Sequence, residues 1–169
     1  MVVIAASVIA VFGTLLGAGV THLFQRNTLR RTEENARSEK LRQERIDAYC
    51  VFGGALANYR RGQMDHWFAG RGGDGHLASE SEVHELRRAA QRLRAAAMEA
   101  MFRAELLTDS SELTSLGREA LKAADGIDRA ASRAELDRAR DESRRLIYGY
   151  MAAARPHVPG LSAARALDR

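Results

Sequence analysis

The chain has 169 residues, a formal net charge of +4 and a single cysteine, and 46% of its residues are apolar. This length suits one compact domain with an appendage, and one cysteine excludes an internal disulfide or a site with several cysteine ligands. Charged residues make up 28% of the sequence, close to the soluble-protein average, which excludes a chain that is disordered throughout.

The first apolar segment, residues 2–24, contains no Asp, Glu, Lys or Arg. As a helix rising about 1.5 Å per residue it would be about 34 Å long, enough to cross a hydrocarbon core of about 30 Å. A cleaved signal peptide would have a basic start and a shorter apolar core. We therefore predict an uncleaved transmembrane anchor over residues 1–25.

The residues directly after this anchor predict its orientation. Arg26, Arg30 and Arg31 follow the apolar segment, and basic residues beside a span are retained on the cytoplasmic side. We expect a single-pass protein of the inner membrane, with its N-terminus outside and the remaining chain in the cytoplasm. The lone Cys50 agrees with a reducing compartment.

Small residues recur along the anchor, and Gly13 and Gly17 form a G-x-x-x-G pattern. Such residues allow two helices to approach closely in lipid. The pattern gives the hypothesis of a homo-oligomer formed through the anchor. The alternative explanation is composition, because glycine and alanine are common in membrane helices.

Residues 26–45 are nearly all polar and continue directly from the anchor, which predicts a juxtamembrane helical stalk over anionic lipid head groups. From residue 46 to about residue 69 the pattern changes to an amphipathic helix. Its apolar face is formed at three- and four-residue steps by Tyr49, Phe52, Leu56, Tyr59 and Gln63. This spacing favours core packing over a ligand-binding aromatic box, and Cys50 beside the stripe is expected to be a small buried residue.

A glycine-rich segment, residues 70–75, then ends this helix. It matches G-x-G-x-x-G, but the dinucleotide fingerprint requires a preceding strand and a βαβ unit, and neither can be identified. The segment is therefore predicted to be a loop between helices, with no role assigned.

Three further helices follow. Ser79 and Glu82 form a capping box that opens the first, whose small apolar residues repeat at three- and four-residue steps over more than three heptads, as in coiled coils and close antiparallel packing. The next is predicted to start at Asp109. Ser132 and Glu135 form the capping box of the last, which Pro156 ends, leaving residues 156–169 as a flexible tail.

The predicted fold is therefore all-α: an N-terminal transmembrane helix, the stalk over 26–45 and an up-down helical bundle over 46–155. The alternative is a dimer in which the long first helix pairs across two chains. The bundle is large enough to hold its own core.

No residue is nominated as catalytic, and no cofactor or metal is expected. The five histidines lack metal-ligand spacing, and no P-loop, nucleophile elbow or helix-turn-helix is present. Most arginines have acidic neighbours at helical spacing, such as Asp141 with Arg145, which favours a salt-bridged surface. Nucleic-acid binding has no motif in its support.

Three stretches carry a resemblance to a known family: VVIAASVIAVFGTLLGAGVTHLFQR, LRQERIDAYCVFGGALANYRRGQMDHWF, and ELLTDSSEL with ALKAADGI. Together they resemble the KilB-like proteins of mycelial actinomycetes. That resemblance implies a short, single-anchor helical membrane protein, and plasmid-borne members are associated with plasmid spread within a recipient mycelium. It implies no functional residue.

Two functions of different class remain. One is a membrane-anchored, non-enzymatic interaction protein that contacts the lipid bilayer and protein partners of a plasmid-transfer assembly. The other is an accessory or regulatory protein at the inner membrane face that binds DNA or anionic lipid through its Arg-rich helices.

Overall fold

A computed structural model describes residues 2–71 and 78–158, with side chains described from residue 32 onward. In these ranges the chain forms helices and no strand, so the predicted all-α class is confirmed there. The four α-helices and the short 3₁₀ turn that follows them are α1 (Val2–Arg71), α2 (Glu80–Leu106), α3 (Ser111–Asp125), α4 (Arg133–Ala154) and Arg155–His157.

The chain divides into two compact units, Met1–Leu41 and Arg42–Arg169. The predicted anchor, with Gly13 and Gly17, and the predicted orientation signal at residues 26–31 lie where the structure describes no side chains. Over the part of the chain that is described, no helix combines the length and apolarity needed to cross a membrane. Most of the glycine-rich loop also lies outside the described residues.

Serine side chains cap the N-termini of α2, α3 and α4. Ser79 Oγ accepts a hydrogen bond from the backbone N–H of Glu82, and Ser132 Oγ accepts one from the backbone N–H of Glu135, which confirms the serine N-cap of both predicted capping boxes. The Glu135 carboxylate in turn accepts a 2.8 Å bond from the backbone N–H of Ala131. These bonds satisfy N–H groups that have no partner within the helix.

The predicted start of α3 is wrong by one residue. The cap is Ser110, whose hydroxyl accepts a 3.2 Å bond from the backbone N–H of Leu113, and not Asp109. Asp109 and Glu112 have capping-box spacing, but Ser110 has an equally suitable side chain. Thr108 Oγ1 also accepts from the N–H of Ser110, which fixes the turn at this position.

In the second unit, neighbouring helices run antiparallel, so the predicted up-down bundle is present. Contacts near both ends of three helix pairs establish the direction. For α1 and α2 they are Arg45 with Leu107 and Gly62 with Ala90. For α2 and α3 they are Arg118 with Glu105 and Arg94 with Asp125, and for α1 and α4 they are Tyr49 with Tyr150 and Arg60 with Ser143.

The core combines large side chains of α1 with Ile147 and Tyr150 of α4 and with mainly small side chains of α2 and α3. All five residues of the predicted α1 stripe are buried. The four apolar and aromatic members share one core cluster with alanines that include Ala97, Ala100 and Ala120. The core also includes Val158, which is only 3% exposed. The packed bundle therefore extends past the predicted boundary at 155, and the start of the predicted tail is part of it.

Candidate functional site: the α1–α4 groove

A groove of about 370 Å³ lies between α1 and α4 in the second unit. We call it the α1–α4 groove. Along its length it is lined from α1 by Gly53, Gly54 and Ala57, and from α4 by Ile147, Tyr148 and Met151. Its volume is within the range of ligand pockets, about 300–1,000 Å³, and its sides are mainly apolar.

Adjacent glycines on α1 shape this groove. A Cβ atom on Gly53 would lie 2.5 Å from the Met151 sulfur, whereas one on Gly54 would meet nothing within 4 Å. Gly53 therefore permits close packing of α1 on α4, and Gly54 keeps the groove open. The Gly-Gly pair stands out in the sequence only as a weak point of the helix.

The rim of the groove exposes a large side chain of α4. Tyr148, which lines the groove, is 70% exposed. Exposed aromatic rings of this kind are enriched at interaction surfaces.

One end of the groove is cationic. Arg60 Nε donates to Ser143 Oγ at 3.1 Å and to the Arg140 carbonyl oxygen at 3.3 Å, which holds the guanidinium in place. Burial lowers the pKa of Arg60, and the nearby charges of Arg144 and Arg140 lower it further, against the opposite effect of Asp141. Positive charge is therefore in excess at this end, and it favours an anionic partner.

Cys50 lies at the other end of the groove and is exposed. The expectation that it is buried is wrong. The core contacts of α1 pass through Tyr49 and Phe52, and position 50 is rotated about 100° from Tyr49 around the helix. It therefore faces the groove instead of the core.

A polar network on another side of the bundle joins three helices. Tyr59 donates to Asp125 Oδ1 at 2.5 Å and accepts from Gln63 Nε2 at 2.8 Å. Arg94 donates to both Asp125 carboxylate oxygens, at 2.9 and 3.3 Å. Burial raises the pKa of Asp125, but hydrogen bonds from Arg94 and Tyr59 outweigh it, so the pKa is lowered overall. These groups are occupied in holding the bundle together.

The loop between α3 and α4 is fastened to α1 by two further bonds. Trp67 Nε1 donates to the Ala130 carbonyl oxygen at 2.7 Å, and His66 Nδ1 lies 2.8 Å from Asp128 Oδ1. His66 thus has a structural partner. Throughout the described ranges, no group of three His, Cys, Asp or Glu residues is arranged to hold a metal ion.

The family model of the KilB plasmid transfer protein matches residues 46–158. The chain belongs to this family. No curated protein and no solved structure matches the chain. The matched range ends at the buried Val158, so the KilB region covers the packed bundle, including every residue that lines the α1–α4 groove.

Ion pairs hold several arginines on the surface of this KilB bundle. Arg118 pairs with Glu105 at 2.8 Å, and Arg145 pairs with Glu142 at 2.6 Å. The predicted partner of Arg145, Asp141, is wrong by one residue. Arg144 differs from these residues, because it is exposed and makes no ion pair within the described part of the chain. Its charge is available at the end of the groove.

Proposed function

We propose that the protein is a membrane-anchored, non-enzymatic interaction protein that supports the spread of conjugative plasmids within mycelium. Its KilB membership indicates a role in plasmid transfer. The observation that carries the proposal is the match of that family over the whole packed bundle, which includes the α1–α4 groove.

The membrane anchor in this proposal is supported by sequence. The uncharged segment over 2–24 is long enough to cross a bilayer, and Arg26, Arg30 and Arg31 favour a cytoplasmic bundle. Anchoring would confine the bundle to the membrane surface, where restriction to two dimensions raises its effective concentration for partners in the same membrane.

The use of the bundle as an interaction surface is supported by its side chains. The titratable groups of the polar network, Tyr59, Arg94 and Asp125, bond to one another. By contrast, the groove offers apolar walls and unpaired positive charge, which are properties of a docking surface.

The experiment measures primary transfer and the zone of plasmid spread separately. Deleting the gene should shrink the zone of spread in recipient mycelium and leave donor-to-recipient transfer largely intact. A protein without residues 1–25 should leave the membrane fraction and fail to restore spread. Full rescue by that anchorless protein, or an equal loss of primary transfer, would contradict the proposal.

A matched pair of glycine variants tests the groove. Gly54→Leu fills the groove without a backbone clash, because a Cβ at this position meets no atom within 4 Å. Gly149→Leu is the control, since Gly149 also faces open space but does not line the groove. We expect Gly54→Leu to reduce spread at a normal protein level and Gly149→Leu to retain it. Equal spread with both variants would exclude the groove from this function.

A further inference from the structure

An apolar ridge on α2 is left uncovered by the described chain. Phe102 is 52% exposed and Leu106 is 86% exposed. They are four residues apart, and the exposed Glu99 precedes them on the same helix face. Arg103 lies on the side of this face away from Phe102. We call Glu99, Phe102 and Leu106 the α2 ridge.

The α2 ridge matches the α1–α4 groove in length and in polarity. At about 1.5 Å per residue, Glu99 and Leu106 are about 10 Å apart along α2, and Cys50 and Arg60 are about 15 Å apart along α1. The ridge therefore fits within the length of the groove. Both are apolar over most of their length and carry charge at one end.

The charges at these ends are complementary. Arg60 is partly buried among other cations, and a ligand that covers it removes more of its water. Asp141 offsets only part of this positive charge, so a further carboxylate would stabilise Arg60 when it loses water. Glu99 has the required charge at the required end of an apolar helix face.

We propose that the α2 ridge of one copy of this protein docks in the α1–α4 groove of a second copy. The Glu99 carboxylate lies at the end formed by Arg60 and Arg144, and Leu106 lies at the end formed by Cys50. The contact goes beyond the proposed function, because it joins copies of the chain whatever membrane or plasmid role they have.

This contact has a consequence for assembly. The ridge and the groove are different surfaces of one bundle, so the interface is heterologous, and each added copy brings a free ridge and a free groove. Association therefore continues past the dimer until a ring closes or the chain of copies ends. A symmetric pairing of two anchors would stop at the dimer.

Disulfide crosslinking tests the orientation directly, using full-length protein in membranes under a mild oxidant. The natural chain contains Cys50 alone. Adding Leu106→Cys puts a thiol on the ridge, and we expect a ladder of dimers, trimers and larger species on non-reducing gels. A Cys50→Ser, Leu106→Cys variant mixed with natural protein should give mixed dimers only.

Arg87→Cys is the matched control, because Arg87 is also exposed on α2 but lies off the ridge. We expect it to give no ladder. Equal crosslinking through positions 87 and 106, or products joined only through Cys50 pairs, would overturn the proposal.

Charge reversal tests the pairing at the other end. In the Leu106→Cys background, Arg144→Glu and Glu99→Arg should each lower the crosslinked fraction about fivefold, and the double variant should restore it. Arg138→Glu, the same charge change at another exposed position of α4, should have no effect. A double variant that stays as low as the single variants would overturn the docking orientation. Because crosslinking needs no plasmid, its failure would leave the proposed role in spread standing.

Discussion

The ring of Tyr150 on α4 meets the ring of Phe52 on α1 edge-on, with centroids 5.0 Å apart and planes at 79°. Both rings lie against Gly117 of α3. A Cβ atom at Gly117 would be 3.0 Å from Phe52 Cε1 and 3.4 Å from Tyr150 Cε2. Three helices therefore meet where one of them has no side chain, and packing accounts for a glycine inside α3.

Because of this contact, replacing glycine by alanine should have opposite effects on the free energy of unfolding at Gly117 and at Gly149. Alanine in place of an interior helical glycine contributes about 1 kcal/mol. At Gly149, where a Cβ meets nothing within 4 Å, we expect that full gain. At Gly117 we expect a net loss of about 1 kcal/mol, because overpacking buried aromatic rings costs about 1–3 kcal/mol. Urea unfolding followed by circular dichroism measures both, and equal shifts for the two variants would contradict the explanation.

Replacing a buried tyrosine by phenylalanine should affect stability differently at Tyr150 and at Tyr59. The Tyr150 hydroxyl is buried and has no hydrogen-bond partner among the described residues, whereas the Tyr59 hydroxyl bonds to Asp125 and Gln63. A buried hydroxyl without a partner costs about 1–3 kcal/mol. Tyr150→Phe should therefore keep or raise the free energy of unfolding, and Tyr59→Phe should lower it by about 1–2 kcal/mol. The melting temperature of Tyr150→Phe should therefore be higher than that of Tyr59→Phe. A lower melting temperature for Tyr150→Phe would contradict this explanation.

The helices and their buried faces could be predicted because local patterns determine them. The three- and four-residue spacing of Tyr49, Phe52, Leu56 and Tyr59 fixes which face of α1 enters the core. Serine hydroxyls at Ser79 and Ser132 give a local signal for helix starts. The error at Asp109 arose because two adjacent side chains could both cap, and only the turn geometry distinguishes them.

The groove could not be predicted, because it depends on which helices become neighbours. Gly54 and Tyr148 are far apart in sequence and line one groove only after α1 packs on α4. The exposure of Cys50 has the same origin, since it depends on the side of α1 that α4 leaves open. The residue pattern within one helix contains no information about which helix will pack beside it or how closely.

The Asp125 carboxylate predicts how stability depends on pH. Its pKa in the folded protein is lowered from the usual 3.8 by Arg94 and Tyr59, despite the opposing effect of burial. The folded chain therefore binds this proton less readily than the unfolded chain, and the carboxylate stabilises the fold above its unfolded pKa. That contribution is lost as the pH falls below about 3.8 and through the folded pKa.

Asp125→Asn tests this dependence. The variant should be less stable than the natural protein near pH 7 and should lose less stability on acidification, so the two curves should converge once the pH falls below the lowered folded pKa of Asp125. Asp137→Asn is the control, since that carboxylate is exposed in pairs with surface arginines, and exposed pairs contribute little. Parallel curves for the natural protein and Asp125→Asn would show that this carboxylate does not set the acid response.

The exposed Cys50 gives a direct test of the predicted membrane orientation. If the bundle is cytoplasmic, a membrane-impermeant maleimide should leave Cys50 unlabelled in intact protoplasts and label it after lysis in a mild denaturant, which separates docked copies and uncovers a side chain that is exposed in the single bundle. A Cys50→Ser, Val2→Cys variant supplies the control, since its thiol at the N-terminus should react in intact protoplasts. Labelling of Cys50 from outside would reverse the orientation inferred from Arg26, Arg30 and Arg31. Labelling after lysis that needs no denaturant would instead show that the groove end at Cys50 is open, which contradicts docking of a second copy there.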